Sequence, residues 1–299
     1  MKQYISAVGW MAFVISSIGL ASYGLMEGWA FGTVLFVQGA TAYFICILAE
    51  LIVPYRQDWR WQTDTKVFSD IGHVLIFDQA VQNLFAIGTI VIFTYIRPVA
   101  NDASAITLNI APMMIILGVV YLEFSEYWRH RFLHASERFW PLHALHHHLD
   151  RMHIFRSGRV HFMDGAARVL FTYIPALLIG LPVEAIIWWM ILLNATGPIS
   201  HSNLNIETAP WLNAVLATPM VHRVHHASDE GFMRHNLSPV CPLVDRLFGT
   251  WLSPEDNLVT AVGVTPDLVP TNFFMQLIYP FFSRSSREKS VAQDGVLPN

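Results

Sequence analysis

The stretch ASAITLNIAPMMIILGVVYLEFSEYWRHRFLH (103–134) opens as a membrane segment and closes as a polar helix carrying two histidines. Ala103–Leu122 holds no charged residue and is about the 20 residues that a helix needs to cross the hydrocarbon core. From Tyr121 to His134 no Pro or Gly interrupts it, so the same helix is expected to run on out of the membrane. His130 and His134 are four residues apart and then share one face, one turn from each other. Membrane anchor and histidine cap are therefore expected to be one continuous rod.

Composition agrees. The chain is 54% hydrophobic and 13% charged, against roughly 25% charged residues in ordinary soluble domains. Three further uncharged stretches, Gln3–Met26, Gly28–Ala49 and Gln79–Ile96, bring the expected main spans to four. The first is read as a retained anchor, being too long for a signal peptide and lacking a small-residue cleavage site. Glu27 in EGW marks a tight turn between the first two. Apolar arms at Val169–Pro182 and Ala185–Ile199, about 15 residues each, form a short hairpin that returns the chain to its starting side. Lys2, Arg56, Arg60, Lys66, Arg129 and Arg131 flank one side and only Arg97 the other, which places the histidines in the cytoplasm.

The expected class is thus an all-α, multi-pass integral membrane protein with a cytoplasmic, helical, histidine-rich cap. Its expected units are the transmembrane helices and loops (1–128), the cap with its hairpin at 169–199 (129–255), and an interfacial segment with a disordered tail (256–299). No basic tract suggests nucleic acid. Cys46 and Cys241, lacking CxxC spacing, imply neither a disulfide framework nor a cysteine zinc site.

Thirteen of the fourteen histidines lie between His130 and His235. After the HxxxH pair come His143, His146 and His147 in HALHHH, at i, i+3 and i+4, and HRVHHASDE repeats that spacing at His222, His225 and His226. One HxxxH pair alone is weak evidence, since surface histidines reach that spacing by chance. Three groups are not explained by packing, because histidine is neither a good filler nor a strong helix former. Neutral imidazole donates nitrogen to iron, copper, nickel or zinc without adding negative charge. Eight rings exceed what one tetrahedral zinc takes, about four, so the count favours two metals with open positions.

The three groups resemble the histidine boxes of the fatty acid hydroxylase/sterol desaturase superfamily of membrane di-iron enzymes. FWPLHALHHHLDRMH (139–153) is similar to that family's aromatic-x-HxxHH segment, and HRVHHASDEGFMRHNLSPVCPLVDRLFGTW (222–251) to its closing HRxHH…N…PLxDxLFGT segment. RVHFMD (159–164) resembles xxHPLE and implies His161 as a further ligand, although Phe162 replaces the usual Pro and Asp164 the usual Glu. His201, in GPISHSN, matches an intervening family histidine and is implied as another.

The resemblance, which spans about Trp59 to Trp251, implies two iron ions, O2 as co-substrate and a lipid C–H bond as the target of hydroxylation or desaturation. The expected metal ligands are His130, His134, His143, His146, His147, His161, His201, His222, His225 and His226, the eight box histidines among them being catalytic. Asp150, Asp164, Asp229 and Asp245 are candidates to accept the free N–H of a ligating ring, against the plainer role of solvated or capping carboxylates. Asn236 either orients a ring or caps a turn. His148, His153 and His235 are expected behind the ligands or at the surface, and His73 as an interfacial structural residue. Trp188, Trp189, Met113 and Met114 either line a lipid path or simply pack.

With no GxGxxG or CxxCH in the chain, electrons are expected from a separate ferredoxin or cytochrome b5 type donor with its reductase. Two other classes stay open, a non-catalytic zinc-binding membrane protein and a metal transporter. Transport usually needs ionisable groups within the spans, and these spans are nearly free of them.

Overall fold

The computed structural model of the protein describes residues 5–96, 106–264 and 269–282. Lys2, Arg97, the first residues of the expected first and fourth spans, and the tail from Ser283 lie outside them. Helix α1 (Ala7–Met26) begins at Ser6, whose hydroxyl accepts the Gly9 N–H. Gly28, at φ +75°, makes the turn expected at EGW, and α2 (Phe31–Ile52) packs back on α1. A helical run follows from α3 (Val67–His73) through a π-helical segment (Val74–Gln82) into α4 (Asn83–Ile96).

Helix α5 (Ile106–Ala135) is the rod anticipated from 103–134, unbroken for 30 residues, or about 45 Å at 1.5 Å per residue. Beyond it lie α6 (Trp140–His147), α7 (Phe162–Arg168) with a π-helical continuation (Val169–Tyr173) into α8 (Ile174–Leu178), and α9 (Val183–Ser200). The short helices α10 (Pro210–Asn213), α11 (Pro219–His225), α12 (Glu230–Met233), α13 (Leu243–Leu247) and α14 (Phe273–Ile278) complete the cap. Among the described residues the one strand pairing is two residues long, β1 (Ile5–Ser6) parallel to β2 (Ile206–Glu207).

Three helices among the described residues are long and apolar enough to cross a membrane: α1, α2 and α9. The set differs from the sequence expectation in three places, the first being that α5, expected as the fourth span, is not among them. Helix α9 runs through Pro198 to Ser200, so the second hairpin arm reaches crossing length. The first arm does not, being divided by its π-helical turns and Pro175. The expected third span, 79–96, is the second half of the 67–96 run, and its apolar part, Leu84–Phe93, is short of crossing length. The run starts early because its first polar residues find inward partners. Asp70 accepts from Arg159 Nη1 (2.8 Å), and His73 Nε2 donates to Gln276 Oε1 (2.8 Å).

Helix α9 is the hub, packed on α1, α2 and α5. Its Trp189 is fully buried with Leu35, Leu122 and Tyr173, and Trp189 Nε1 donates to Glu123 on α5 (3.1 Å). Trp188 packs against this cluster, whereas Met113 is exposed on the outer face. The outer faces are apolar as well: Ile15, Phe36, Phe44, Ile92 and Ile116 are exposed, a belt suited to lipid rather than water.

At one end of the bundle the chain start, the end of α2 and the segment after α9 meet. Ile5 pairs with Ile206, the Tyr55 N–H donates to Asn203 O (2.9 Å), and the Asn205 N–H donates to Val53 O (3.1 Å). Glu50 on α2 accepts from the Ile154 and Asn203 N–H groups (2.8 and 2.7 Å), tying two cap loops to a membrane helix. His201 therefore rejoins the other histidines at the end where the chain begins.

Gly118 on α5 lies so close to Ala185 on α9 that a methyl group there would overlap the Ala185 Cβ. Gly118→Ala is expected to cost about 1–3 kcal/mol through overpacking, read as a lower midpoint in thermal unfolding of the detergent-solubilised protein.

Candidate metal centre

Nine histidines converge in two adjoining groups. Ring nitrogens of His130, His134, His143, His147 and His225 lie within 4.8 Å of one another, as do those of His146, His201, His222 and His226. The HxxHH spacing explains the division. On α6 the i and i+4 rings, His143 and His147, enter the first group and His146 the second. Around α11 the arrangement is reversed: His222 and His226 enter the second group and His225 the first. The α5 pair completes one group and His201, just past α9, the other. The rings of His147 and His226 stack across the boundary with centroids 4.4 Å apart.

Most of the backing is by main-chain carbonyls. Nδ1 of His130 donates to Leu237 O (2.7 Å), that of His201 to Gly197 O (2.9 Å) and that of His225 to His235 O (2.9 Å). His143 Nδ1 instead donates to Asp164 Oδ2 (2.7 Å). Each such bond fixes the proton on Nδ1 and leaves Nε2 as a lone-pair donor. The Nε2 atoms of His130 and His143 then face each other at 2.9 Å, and His201 Nε2 lies 2.8 Å from that of His222 and 3.1 Å from that of His146. Both His147 nitrogens, His225 Nε2 and the Nδ1 atoms of His146 and His226 are buried without a hydrogen-bond partner. Lone pairs aimed at lone pairs, with orphaned nitrogens around them, are the donor set of a cation site.

Burial, reinforced by neighbouring rings, holds His134, His147, His222 and His226 well below the usual imidazole range. Burial likewise takes His201 to about 4 and His225 to about 3. All are therefore uncharged at neutral pH, the form that binds metal.

Behind His143 stands a buried ion-pair chain absent from the sequence reading. Arg129 donates to Glu126 through Nε and Nη2 (2.8 and 2.6 Å) and to Asp164 through Nη1. Burial raises the Asp164 carboxyl, yet the Arg129 guanidinium outweighs it and holds the group well below the usual carboxylate range. The signal was present as Glu126 and Arg129 three apart on one helix, but such pairs are common on solvated faces.

The remaining candidates fall elsewhere. His161 joins neither group: its Nδ1 accepts the Met163 N–H, capping α7, and its Nε2 donates to Leu277 O (3.0 Å). Both nitrogens are spent on the backbone, which removes it from the ligand set expected from RVHFMD. Of the four carboxylates, Asp164 alone touches a ring of either group among the contacts described. Asp245 acts one step back, accepting the Leu237 and Ser238 N–H groups (2.8 and 2.9 Å) and so fixing the loop whose carbonyl backs His130. Asp229 caps α12, and Asp150 sits half-exposed beside Arg156. Asn236, at φ +53°, ties Val221 O and Leu252 to its loop rather than orienting a ring. His235 contributes its carbonyl to His225.

His148 is buried against Arg159 (2.7 Å), and His153 lies in a separate buried lattice with Asp64, Asp70, Arg156 and Arg159. Asp64, Asp70 and His153 also cluster closely enough for a metal, but Arg156 already bridges both carboxylates at 2.5 and 2.8 Å. A cavity of about 180 Å³ adjoins the nine-histidine centre, lined by His130, His143, His146, His201 and His222 and by the inner face of α9.

The fatty acid hydroxylase family profile matches residues 115–250, the span that holds every histidine of both groups. An ornithine lipid hydroxylase, OlsE, of Rhizobium tropici is 32% identical over 254 residues, covering 83% of this chain and 76% of that protein. An alkylglycerol monooxygenase of Danio rerio is 28% identical over 143 residues (48% of this chain, 31% of its own), and a Delta(7)-sterol 5(6)-desaturase of Gibberella zeae is 27% identical over 139 residues (46% and 38%). No solved structure matches the chain. The chain belongs to the fatty acid hydroxylase family.

Asp164→Asn keeps the volume but removes the charge facing His143 and Arg129. Metal affinity is expected to fall by about 10–100-fold, measured by competition with a chelator. Acidification acts on the whole cluster. The unfolded rings titrate near 6.5 and the folded ones lower, so their contribution to stability is complete above 6.5 and is lost as pH falls toward 4 for His201 and 3 for His225. The thermal midpoint of the chelator-treated protein should therefore decline steadily from pH 6.5 downward.

Proposed function

We propose that the protein is an O2-dependent membrane oxygenase that hydroxylates a lipid C–H bond with two iron ions held by the nine histidines. The observation that carries this reading is the pair of adjoining imidazole groups, five and four rings, opening on a cavity at the ends of membrane-crossing helices. All-nitrogen donor sets suit redox metals such as iron and leave positions open for O2. Hydroxylation is preferred to desaturation because the relative matched over most of its length is named a lipid hydroxylase. An ornithine lipid is accordingly the first substrate to try.

Bound iron would supply O2 reduction and an oxidant able to take hydrogen from an unactivated carbon. The balance is R–H, O2, two electrons and two protons giving R–OH and H2O: one oxygen atom enters the C–H bond and the other leaves as water. The electrons come from an external one-electron carrier of the ferredoxin or cytochrome b5 class with its reductase.

The chain's own residues hold and shape. Carbonyls of Leu237, Gly197 and His235 keep the Nδ1 protons away from the metals, and Asp164 with Arg129 fixes the His143 ring. Residues 129–255 thus act as the catalytic cap. The positive flanks Arg56, Arg60 and Lys66 at the same end favour a cytoplasmic face, where soluble donors can reach it.

His146→Ala and His225→Ala each remove a donor from a different group. Each should lose bound iron and turnover while the protein still inserts in the membrane. Wild-type chain should carry about two irons and consume O2 with appearance of an oxygenated lipid. Zinc alone from iron-replete cells, with no oxygenated lipid, would favour a non-catalytic metal-binding role.

A further inference from the structure

Helix α5 is built inside out where it enters the cap. Between Glu123 and His134 its buried residues include Glu123, Glu126, Arg129, His130 and His134, and its exposed residues are Phe124, Trp128 and Phe132. The spacing of four keeps those three rings on one side. A helix beside water shows the reverse, with charge outward and apolar residues inward. The same pattern runs down the apolar half. From Met113 through Ile116, Val120, Phe124 and Trp128 to Phe132, every exposed residue is apolar. The stripe is about 28 Å long at 1.5 Å per residue, against about 30 Å for the hydrocarbon core of a bilayer. No break in it marks a point at which the helix leaves the membrane.

Neighbouring elements widen the stripe into a patch. Phe248, just past α13, packs its ring on those of Phe124 and Trp128, with centroids 5.8 and 5.0 Å apart, and α13 turns Leu243 and Leu247 outward. On the arm before α8, Phe171 O accepts from Ser125 Oγ (2.9 Å), while the side chains of Leu170 and Phe171 are exposed. Three separate parts of the chain thus present apolar groups around one stretch of α5. An exposed apolar patch of this kind marks a contact surface.

Cations edge it. Arg131 lies over the Trp128 ring (5.2 Å) and its Nη1 donates to Tyr127 Oη (2.8 Å), and Arg246 lies over the Trp251 ring (4.7 Å). Among the described residues neither makes an ion pair, in contrast to Arg129, which is held by Glu126 and Asp164. An arginine stem on an aromatic ring, with its guanidinium left unpaired, suits a membrane edge: the stem stays in the apolar layer and the charge reaches lipid phosphate. Continuity with the outer belt, a length matched to the bilayer and unpaired cations at one end all point to the same occupant.

We infer that the α5–α13 flank of the cap is embedded in the lipid leaflet nearest the histidines, with Phe124, Trp128, Phe132, Leu243 and Leu247 among acyl chains and Arg131 and Arg246 at anionic lipid phosphates. The half of α5 that carries His130 and His134 is therefore covered by lipid on its outer side rather than standing clear of the membrane. Lipid cover here does not depend on which reaction the metal centre performs.

The test uses the full chain in vesicles of phosphatidylcholine with phosphatidylglycerol. Cys241→Ser leaves the buried Cys46 as the one native thiol, and a nitroxide is attached at Phe132→Cys or Leu247→Cys, both exposed positions. Ile116→Cys is the reference within the apolar belt, and Gln62→Cys the reference on an exposed polar loop. Electron paramagnetic resonance compares collision of the label with O2, which concentrates in hydrocarbon, and with a water-soluble nickel chelate. The labels at positions 132 and 247 should favour O2 as the one at 116 does, while the one at 62 favours the chelate. Labels at 132 and 247 that behave like the one at 62 overturn the inference and leave the belt itself intact. Low collision with both agents, together with dipolar broadening between chains, shows a second copy in place of lipid and overturns it as well.

A second arm uses phosphatidylglycerol with a photoreactive headgroup, followed by digestion and mass spectrometry. Crosslinks should fall on the peptides holding Arg131 and Arg246. Arg131→Gln and Arg246→Gln should each lower the yield on its own peptide by about fivefold, the order of one cation's attraction to an anionic leaflet. Undiminished yield in both variants overturns the headgroup contact and the inference with it.

Discussion

Nine imidazoles held with their nitrogens facing one another are an arrangement that hydrogen bonding leaves partly unsatisfied. Where Nδ1 is committed on both rings of a pair, as in His130 to Leu237 O and His143 to Asp164, each Nε2 has only a lone pair to offer, and the two face each other 2.9 Å apart. Adding protons would supply donors but would place positive charges side by side in a buried space, and burial already drives these rings to the neutral form. A cation is the remaining way to reconcile them. The rest of the molecule can be understood as the framework that keeps these rings in place.

That framework joins membrane packing to cap geometry through a few long elements. Helix α5 carries the exposed, apolar Ile116 and the ligand candidates His130 and His134 on one rod. Helix α9 packs on it at the Gly118–Ala185 contact and ends at His201. Each helix also sends a polar side chain into the join: Trp189 donates to Glu123, which in turn accepts two N–H groups of the loop at Val240 and Cys241. The cap is thereby referenced to the membrane helices, and the cavity along α9 opens from the same packing. Rigid elements hold a site more closely than loops can.

Asp164 shows how the cap economises. It is a short acidic residue on α7 that takes the His143 proton on one oxygen and Arg129 on the other, while Arg129 is gripped by Glu126 one turn before His130. One carboxylate thus couples α7, α5 and α6. A buried guanidinium without it would leave charge unpaired, so ring orientation and local stability depend on the same contact.

The sequence by itself determined what depends on local spacing: the α5 rod, the turn at Gly28, the membrane class, and the eight histidines whose i, i+3 and i+4 positions put them on common helix faces. His201 was legible through family resemblance. The tertiary structure alone decided how the rings divide into five and four, because that follows from how α6 and α11 approach each other. It also decided that His161 spends its nitrogens on Met163 and Leu277, that α9 reaches crossing length through Pro198, and that Arg129 and Glu126 back the site. Spacing along a helix fixes direction about its axis, whereas partners distant in sequence are set only when separate helices dock, and a single chain's pattern carries no distance between them.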